Sequence, residues 1–244
     1  HPAEGRSALL AALARGPEAL RQAAAALIWH ELDGSALPAV RNAFPNWPES
    51  ARVAVLAQAD RAWSTPIARA AMQDRSARVR EAASLALSRL ADVSSVGALL
   101  RAAAAKGAER AAAERAIATM PGAEVERQLR AVSLGGRPAL ERAAAARCLA
   151  ARGGPSVAPF LLRLASAESP EVRAAALQAL ARLAGDSEIP GLLAMTVSAA
   201  RPAERELAAH ALGEAMRRCR DPRAALGALR QAYSTAGAAQ RAAL

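Results

Sequence analysis

Apolar residues recur at spacings of three and four in stretch after stretch of the chain. Val79, Ala82, Ala83, Ala86, Leu87 and Leu90 form one such set, and Val172, Ala175, Ala176, Ala179, Leu180 and Leu183 repeat it. These spacings place all six residues on one face of an α-helix. Shorter apolar segments alternate with the long ones. Val96-Leu99-Leu100, Val157-Phe160-Leu161-Leu164 and Ile189-Leu192-Leu193 are examples. Gly16, Gly34, Gly122, Gly135-Gly136, Gly153-Gly154 and Gly185 fall at the joints, where helices commonly stop. The pattern predicts pairs of helices, a shorter first helix followed by a second, and no convincing strand.

The pairs are periodic. One arginine stands near the start of each alanine-rich second helix: Arg21, Arg52, Arg80, Arg110, Arg142, Arg173, Arg205 and Arg241. The first seven are 31, 28, 30, 32, 31 and 32 residues apart, and the last gap is 36. Pro17, Pro48, Pro138, Pro170 and Pro202 precede their arginines by three or four residues, as suits the first turn of a helix. Glu18, Glu49, Glu171 and Glu204 add carboxylates where the helix dipole favours them. Asp74 and Ser169 are the expected N-caps. A single hairpin cannot bury both its helices, so neighbours must stack into one continuous core. The reading is an all-α chain, a right-handed α-α superhelix of about eight hairpins, roughly 70–80 Å long at the usual helix spacing. No linker divides it, so residues 1–244 are expected to form one repeat domain. The chain begins His1-Pro2 and stops at Arg241-Ala242-Ala243-Leu244, where a second helix would start. It is therefore expected to be a piece of a longer protein.

Composition sharpens this picture. Hydrophobic residues make up 53% of the chain but aromatics only 2%, and alanine and leucine are the strongest helix formers. The net charge is +10 and Lys106 is the only lysine, so arginine carries the charge. A basic chain invites a nucleic-acid partner, although arginine spread over every repeat reads first as general surface. The two cysteines, Cys148 and Cys219, lie two repeats apart, too far for a disulfide, and Cys148 falls on an apolar face. No segment has the length and hydrophobicity of a membrane span.

The segments from Asp74 to Leu100, DRSARVREAASLALSRLADVSSVGALL, and from Ser169 to Leu193, SPEVRAAALQALARLAGDSEIPGLL, resemble the HEAT-like repeats of phycobilisome lyases and of many bacterial proteins. The shared pattern is Asp or Ser, Val-Arg, an alanine-rich helix, leucine, a Gly/Asp turn and a short apolar helix. It implies a solenoid in which the second helices line the concave surface. It also implies that the repeated arginines have a structural task, pairing with the turn or with neighbouring carbonyls. It says little about activity, because this repeat serves many functions.

Candidate chemistry is sparse. His1, His30 and His210 lack the spacing of a metal site. No phosphate loop or nucleophile elbow is present. No cofactor is expected, and the chain is read as non-catalytic. Trp47-Pro48 looks like an apolar residue packed at a helix start. Trp29 is open between a core role and an aromatic contact.

Counting from each marked arginine, the positions five and nine later should face away from the core. Arg115, Arg147, Gln178 and His210 then form a polar row, with Arg89 and Arg182 beside it. These six residues and Trp29 are the candidate partner-binding residues on the concave face. The expected function is a protein-interaction scaffold that holds an acidic or extended segment of another protein. The isolated domain is expected to be monomeric. Nucleic-acid binding through the arginine-rich face, or a place as a subunit of a bilin-lyase-like enzyme, are the alternatives.

Overall fold

Alanine-rich segments of 12 to 17 residues with apolar stripes have one economical outcome, which is to coil and then pair. The computed structural model describes residues 2–235, and those residues contain fifteen α-helices and no strand. Contacts divide the chain into two compact units, His1–Val125 and Glu126–Leu244.

In the first unit the pairs are α1 (Pro2–Arg15) with α2 (Glu18–Glu31), α3 (Leu37–Ala43) with α4 (Glu49–Ala57), α5 (Thr65–Ala71) with α6 (Ala77–Arg89), and α7 (Val96–Ala104) with α8 (Ala108–Thr119). The second helices pack in order, α2 on α4, α4 on α6 and α6 on α8. Helix α9 (Ala123–Leu134) begins at the unit boundary and precedes α10 (Ala139–Gly153). The second unit continues with α11 (Ala158–Leu164) and α12 (Pro170–Leu183), then α13 (Ile189–Ser198) and α14 (Pro202–Arg218). Here α10 packs on α12 and α12 on α14. Helix α15 (Pro222–Thr235) lies against α13 and opens an eighth pair. Arg241, the marker expected in its second helix, lies outside the described residues.

The cores are built as the periodicity predicts. Val79, Ala83, Ala86 and Leu87 of α6, and Val172, Ala176, Ala179 and Leu180 of α12, are buried. So are Leu99 and Leu100 of α7, Phe160 and Leu161 of α11, and Leu192 of α13. Buried alanines such as Ala112, Ala113 and Ala116 let helices approach closely, so dispersion contacts replace aromatic bulk. Four of the first helices have a proline within their first two positions: Pro38, Pro66, Pro159 and Pro190. Each of these follows a short 3-10 turn. At the joint after α10, a Cβ on Gly153 would sit 2.1 Å from Val157 Cγ1, and Gly154 adopts φ +56°. That turn therefore requires its two glycines.

The repeated arginines clasp the turn between the two helices of each pair. Arg21 Nη1 donates to Gly16 O at 2.8 Å and Arg205 Nη2 to Ala199 O at 2.8 Å. Arg80 Nη1 reaches Asp74 O at 2.7 Å, and Arg142 Nε reaches Ser133 O at 3.3 Å. Arg173 Nη1 donates to both Ala167 O and Glu168 O at 2.7 Å, while its Nη2 donates to Glu204 on the next second helix. Arg52 and Arg110 differ, pairing with the carboxylates of Asp74 and Glu114. These carbonyls are helix-end acceptors with no partner inside their own helix. Arg173→Ala is expected to destabilise the second unit by about 1.5–3 kcal/mol, the range for hydrogen bonds to a charged group. Arg173→Lys should restore little, because an ammonium cannot hold two carbonyls and a carboxylate at once. Urea unfolding followed by circular dichroism measures both.

One cap differs from expectation. Ser169 does cap α12, accepting from Val172 N at 3.4 Å. The cap of α6, however, is Ser76 and not Asp74. Asp74 stands two residues earlier, accepts Ser76 N at 2.8 Å, and turns its other oxygen to Arg52.

Helix α6 ends with Ala91 at φ 53° and Asp92 N donating to Leu87 O at 3.1 Å, a left-handed helix stop. Asp92 then receives Arg69 Nε at 2.6 Å and Nη2 at 2.5 Å, along with the hydroxyls of Ser94 and Ser95. The Arg69 hydrogen bonds lead in pulling its carboxyl down to about 2 from an ordinary 3.8, against the opposing pull of burial. A carboxyl depressed on folding stabilises the fold above its unfolded value, and that contribution disappears as pH falls through its folded one. Asp92→Asn should therefore be less stable than the parent at neutral pH. The gap in urea midpoint should close as pH falls from 3.8 towards about 2. A gap constant with pH would show that Asp92 acts by shape and not by charge.

Candidate functional site

Most positions five and nine after the described arginines face outward, although Leu85 is half-buried. In the first unit Ala26, Ala57, His30, Arg61, Arg89, Arg115 and Thr119 are exposed. Arg61 is not on a helix, because α4 stops at Ala57 while its neighbours α2 and α6 run longer. The early stop leaves the last carbonyls of α4 with only turn N–H donors, Gln58 N to Val55 O at 3.3 Å and Ala59 N to Leu56 O at 3.2 Å, and both neighbours add a second donor. Arg89 Nη2 donates to Leu56 O at 2.6 Å, and Trp29 Nε1 donates to Val55 O at 2.7 Å. Arg89 thus has an anchoring task between second helices, and burial of its guanidinium holds its pKa below the usual arginine value.

Trp29 requires a correction. Its side chain is 1% exposed and meets Trp63 edge to face, ring centres 4.9 Å apart. A buried indole engaged at both ring and N–H cannot anchor a partner, so Trp29 leaves the candidate set. Trp47 is buried against Phe44 with ring centres 5.6 Å apart. Beside Trp29 on α2, His30 Nδ1 lies 3.0 Å from Arg61 Nη2, and His30 Nε2 lies 3.7 Å from Asp60.

In the second unit the equivalent positions are Arg147, half-buried, and Gln178 and His210, exposed. They stand on α10, α12 and α14, which pack side by side. Arg182 is exposed one turn after Gln178. Glu214, one turn after His210, pairs with Arg217 and Arg218. The Arg217 hydrogen bond leads in lowering its pKa, and the charges of His210 and Arg218 contribute. The outward side of this unit is thus mostly polar, with arginines at two of its six marked positions, Ala151 the one apolar member, and the Glu214 carboxylate paired to Arg217 and Arg218.

Among the described residues no group of three His, Cys, Asp or Glu side chains is placed to hold a metal ion. No described helix is long and apolar enough to cross a membrane. Cys148 is buried, Cys219 is partly exposed, and the two form no disulfide with each other.

One polar feature escapes the sequence. Arg52 is 3% exposed and pairs with Asp74 at 2.5 Å, and both line a cleft between α3, α4 and α5. The periodicity hides it, because Arg52 looks like every other member of its series. Val79 before Arg80, where Glu109, Glu141 and Glu204 stand before their arginines, is too weak a signal, because Val172 takes the same place before Arg173.

Residues 128–213 match a family model described as HEAT repeats. No curated protein matches the chain. Among solved structures, human deoxyhypusine hydroxylase in complex with glycerol is similar at 20% identity, covering 87% of this chain and 84% of that one, with a TM-score of 0.38. The complex of CpcE and CpcF of phycocyanin lyase from Nostoc sp. PCC7120 is similar at 18% identity, covering 94% of each chain, with a TM-score of 0.40. The repeat match falls on α9 to α14, where paired helices, a clasping arginine and alanine-rich cores recur in register. Residues 128–213 are thus HEAT repeats, and helix pairs with the same arginine recur before them.

Proposed function

We propose that this chain is a non-catalytic scaffold whose second helices hold an acidic or extended segment of a partner protein. HEAT repeats commonly mediate protein interactions, and the repeat match supports that class of role. The observation that carries the finer reading is the outward side of α10, α12 and α14. There the same position of three successive repeats holds Arg147, Gln178 and His210, with Arg182 adjacent. Side chains repeated in register on rigid, packed helices suit an extended chain better than a small substrate. Cationic groups on that side would steer an acidic segment towards it.

Photo-crosslinking in the source cell tests this. A benzoylphenylalanine at position 178 or 210 should give a discrete protein adduct. The same group at Ala194, exposed on the first helix α13, should not. Arg182→Glu should reduce the adduct. Equal adducts from both sides of the repeat would overturn the assignment. The net charge of +10 favours one other reading, nucleic-acid binding. That reading requires affinity for random duplex that falls steeply with salt.

A further inference from the structure

We propose that the cleft between the second and third hairpins is a binding site for a small organic carboxylate with a short apolar body. Two other joints show what such a slot can be built around. At the third-to-fourth joint Arg80 holds Glu109 through two hydrogen bonds of 3.0 and 2.9 Å. At the sixth-to-seventh joint Arg173 holds Glu204, the equivalent residue. Each of those clefts contains its own carboxylate. At the second-to-third joint the equivalent residue is Val79, fully buried in the core. The carboxylate from that position is missing, and Arg52 pairs instead with Asp74 of the turn.

Arg52 consequently presents five donors and finds one acceptor among the described residues, Asp74 Oδ2. Its Nε is buried with no partner, as are those of Arg173 and Arg205. Asp74 is itself shared, since Ser76 N and Arg52 divide its two oxygens. The cleft has a volume of about 390 Å³, and Arg41 and Arg75 join Arg52 and Asp74 along it. Three guanidiniums against one carboxylate leave a formal charge of +2 around a partly enclosed space. The remaining wall is mostly apolar, with Phe44, Pro45, Ile67, Ala70 and Ala71, and Gln73 adds one amide. A volume of this size accommodates a small molecule. Guanidinium pairs strongly with carboxylate, and more so where water is scarce. The apolar wall selects an acid carrying a hydrocarbon body over a bare inorganic anion.

Titration of the full chain with hexanoate, hexan-1-ol and hexylamine, followed by amide chemical shifts, tests the site. Hexanoate should shift the amides of α3, α4 and α5 in a saturable manner, and the alcohol and amine should not. Ala70→Trp, at an exposed position on the cleft wall, should abolish the response without unfolding the chain. Arg75→Ala should weaken it about tenfold. Hexanoate shifts that survive Ala70→Trp, or hexylamine binding as well as hexanoate, would overturn the proposal.

Discussion

Replacing Trp29 by alanine is expected to destabilise the first unit by about 3–5 kcal/mol, the range for deleting a large buried aromatic side chain. Two losses combine. The ring is among the largest fully buried side chains and packs against Trp63. Its N–H also donates to Val55 O near the end of α4, which would keep only the longer bond from Gln58 N at 3.3 Å. Trp29→Phe keeps most of the volume and removes only the donor, so about 0.5–1.5 kcal/mol is expected. All three tryptophans, at 29, 47 and 63, lie in the first unit. Tryptophan fluorescence therefore reports that unit in a urea titration, and circular dichroism reports the whole chain. An unchanged fluorescence midpoint for Trp29→Ala would return the residue to the surface and revive an aromatic contact patch.

Asp74→Ala should be of similar size, about 3–5 kcal/mol, the range for removing one partner from a buried ion pair. Both side chains are nearly inaccessible, at 4% and 7%. The mutation leaves the Arg52 charge enclosed without its one acceptor, and it frees Ser76 N as well. The sign of a second substitution separates charge from shape. Arg52→Met together with Asp74→Leu removes both charges and should recover most of the loss, since apolar replacements of buried pairs are often neutral or better. A double variant no more stable than Asp74→Ala would show that the pair matters for its geometry and not for mutual neutralisation.

The paired-helix architecture is legible in the chain because period and burial share one cause. Val79, Ala83, Ala86 and Leu87 recur in the core for the same reason that Val172, Ala176, Ala179 and Leu180 do. The clasping role of the arginines was legible through resemblance, and the bonds from Arg80 and Arg173 to turn carbonyls show its mechanism. The outward positions, Gln178 and His210 among them, followed from counting along the helix. What the pattern concealed was local. Nothing in the run from Ala54 to Asp60 announces that α4 halts at Ala57, so Arg61 was assigned to a helix it does not occupy. Trp29 was ambiguous because its fate depends on that halt, which provides the carbonyl its indole needs. Asp74 resembled a cap because it stands near a helix start. Only the fold brings Arg52, 22 residues earlier in the chain, to its carboxylate.

The short α4 has a consequence for how the array holds together. In a regular stack each layer answers only to the layers beside it, and its weakest member can loosen alone. Here the first and third layers both reach into the same two consecutive peptide groups, Val55 and Leu56, through Trp29 and Arg89. The second hairpin is pinned from both directions at once. Its opening would release two distant side chains together, so three layers that the sequence writes as separate modules should loosen as one.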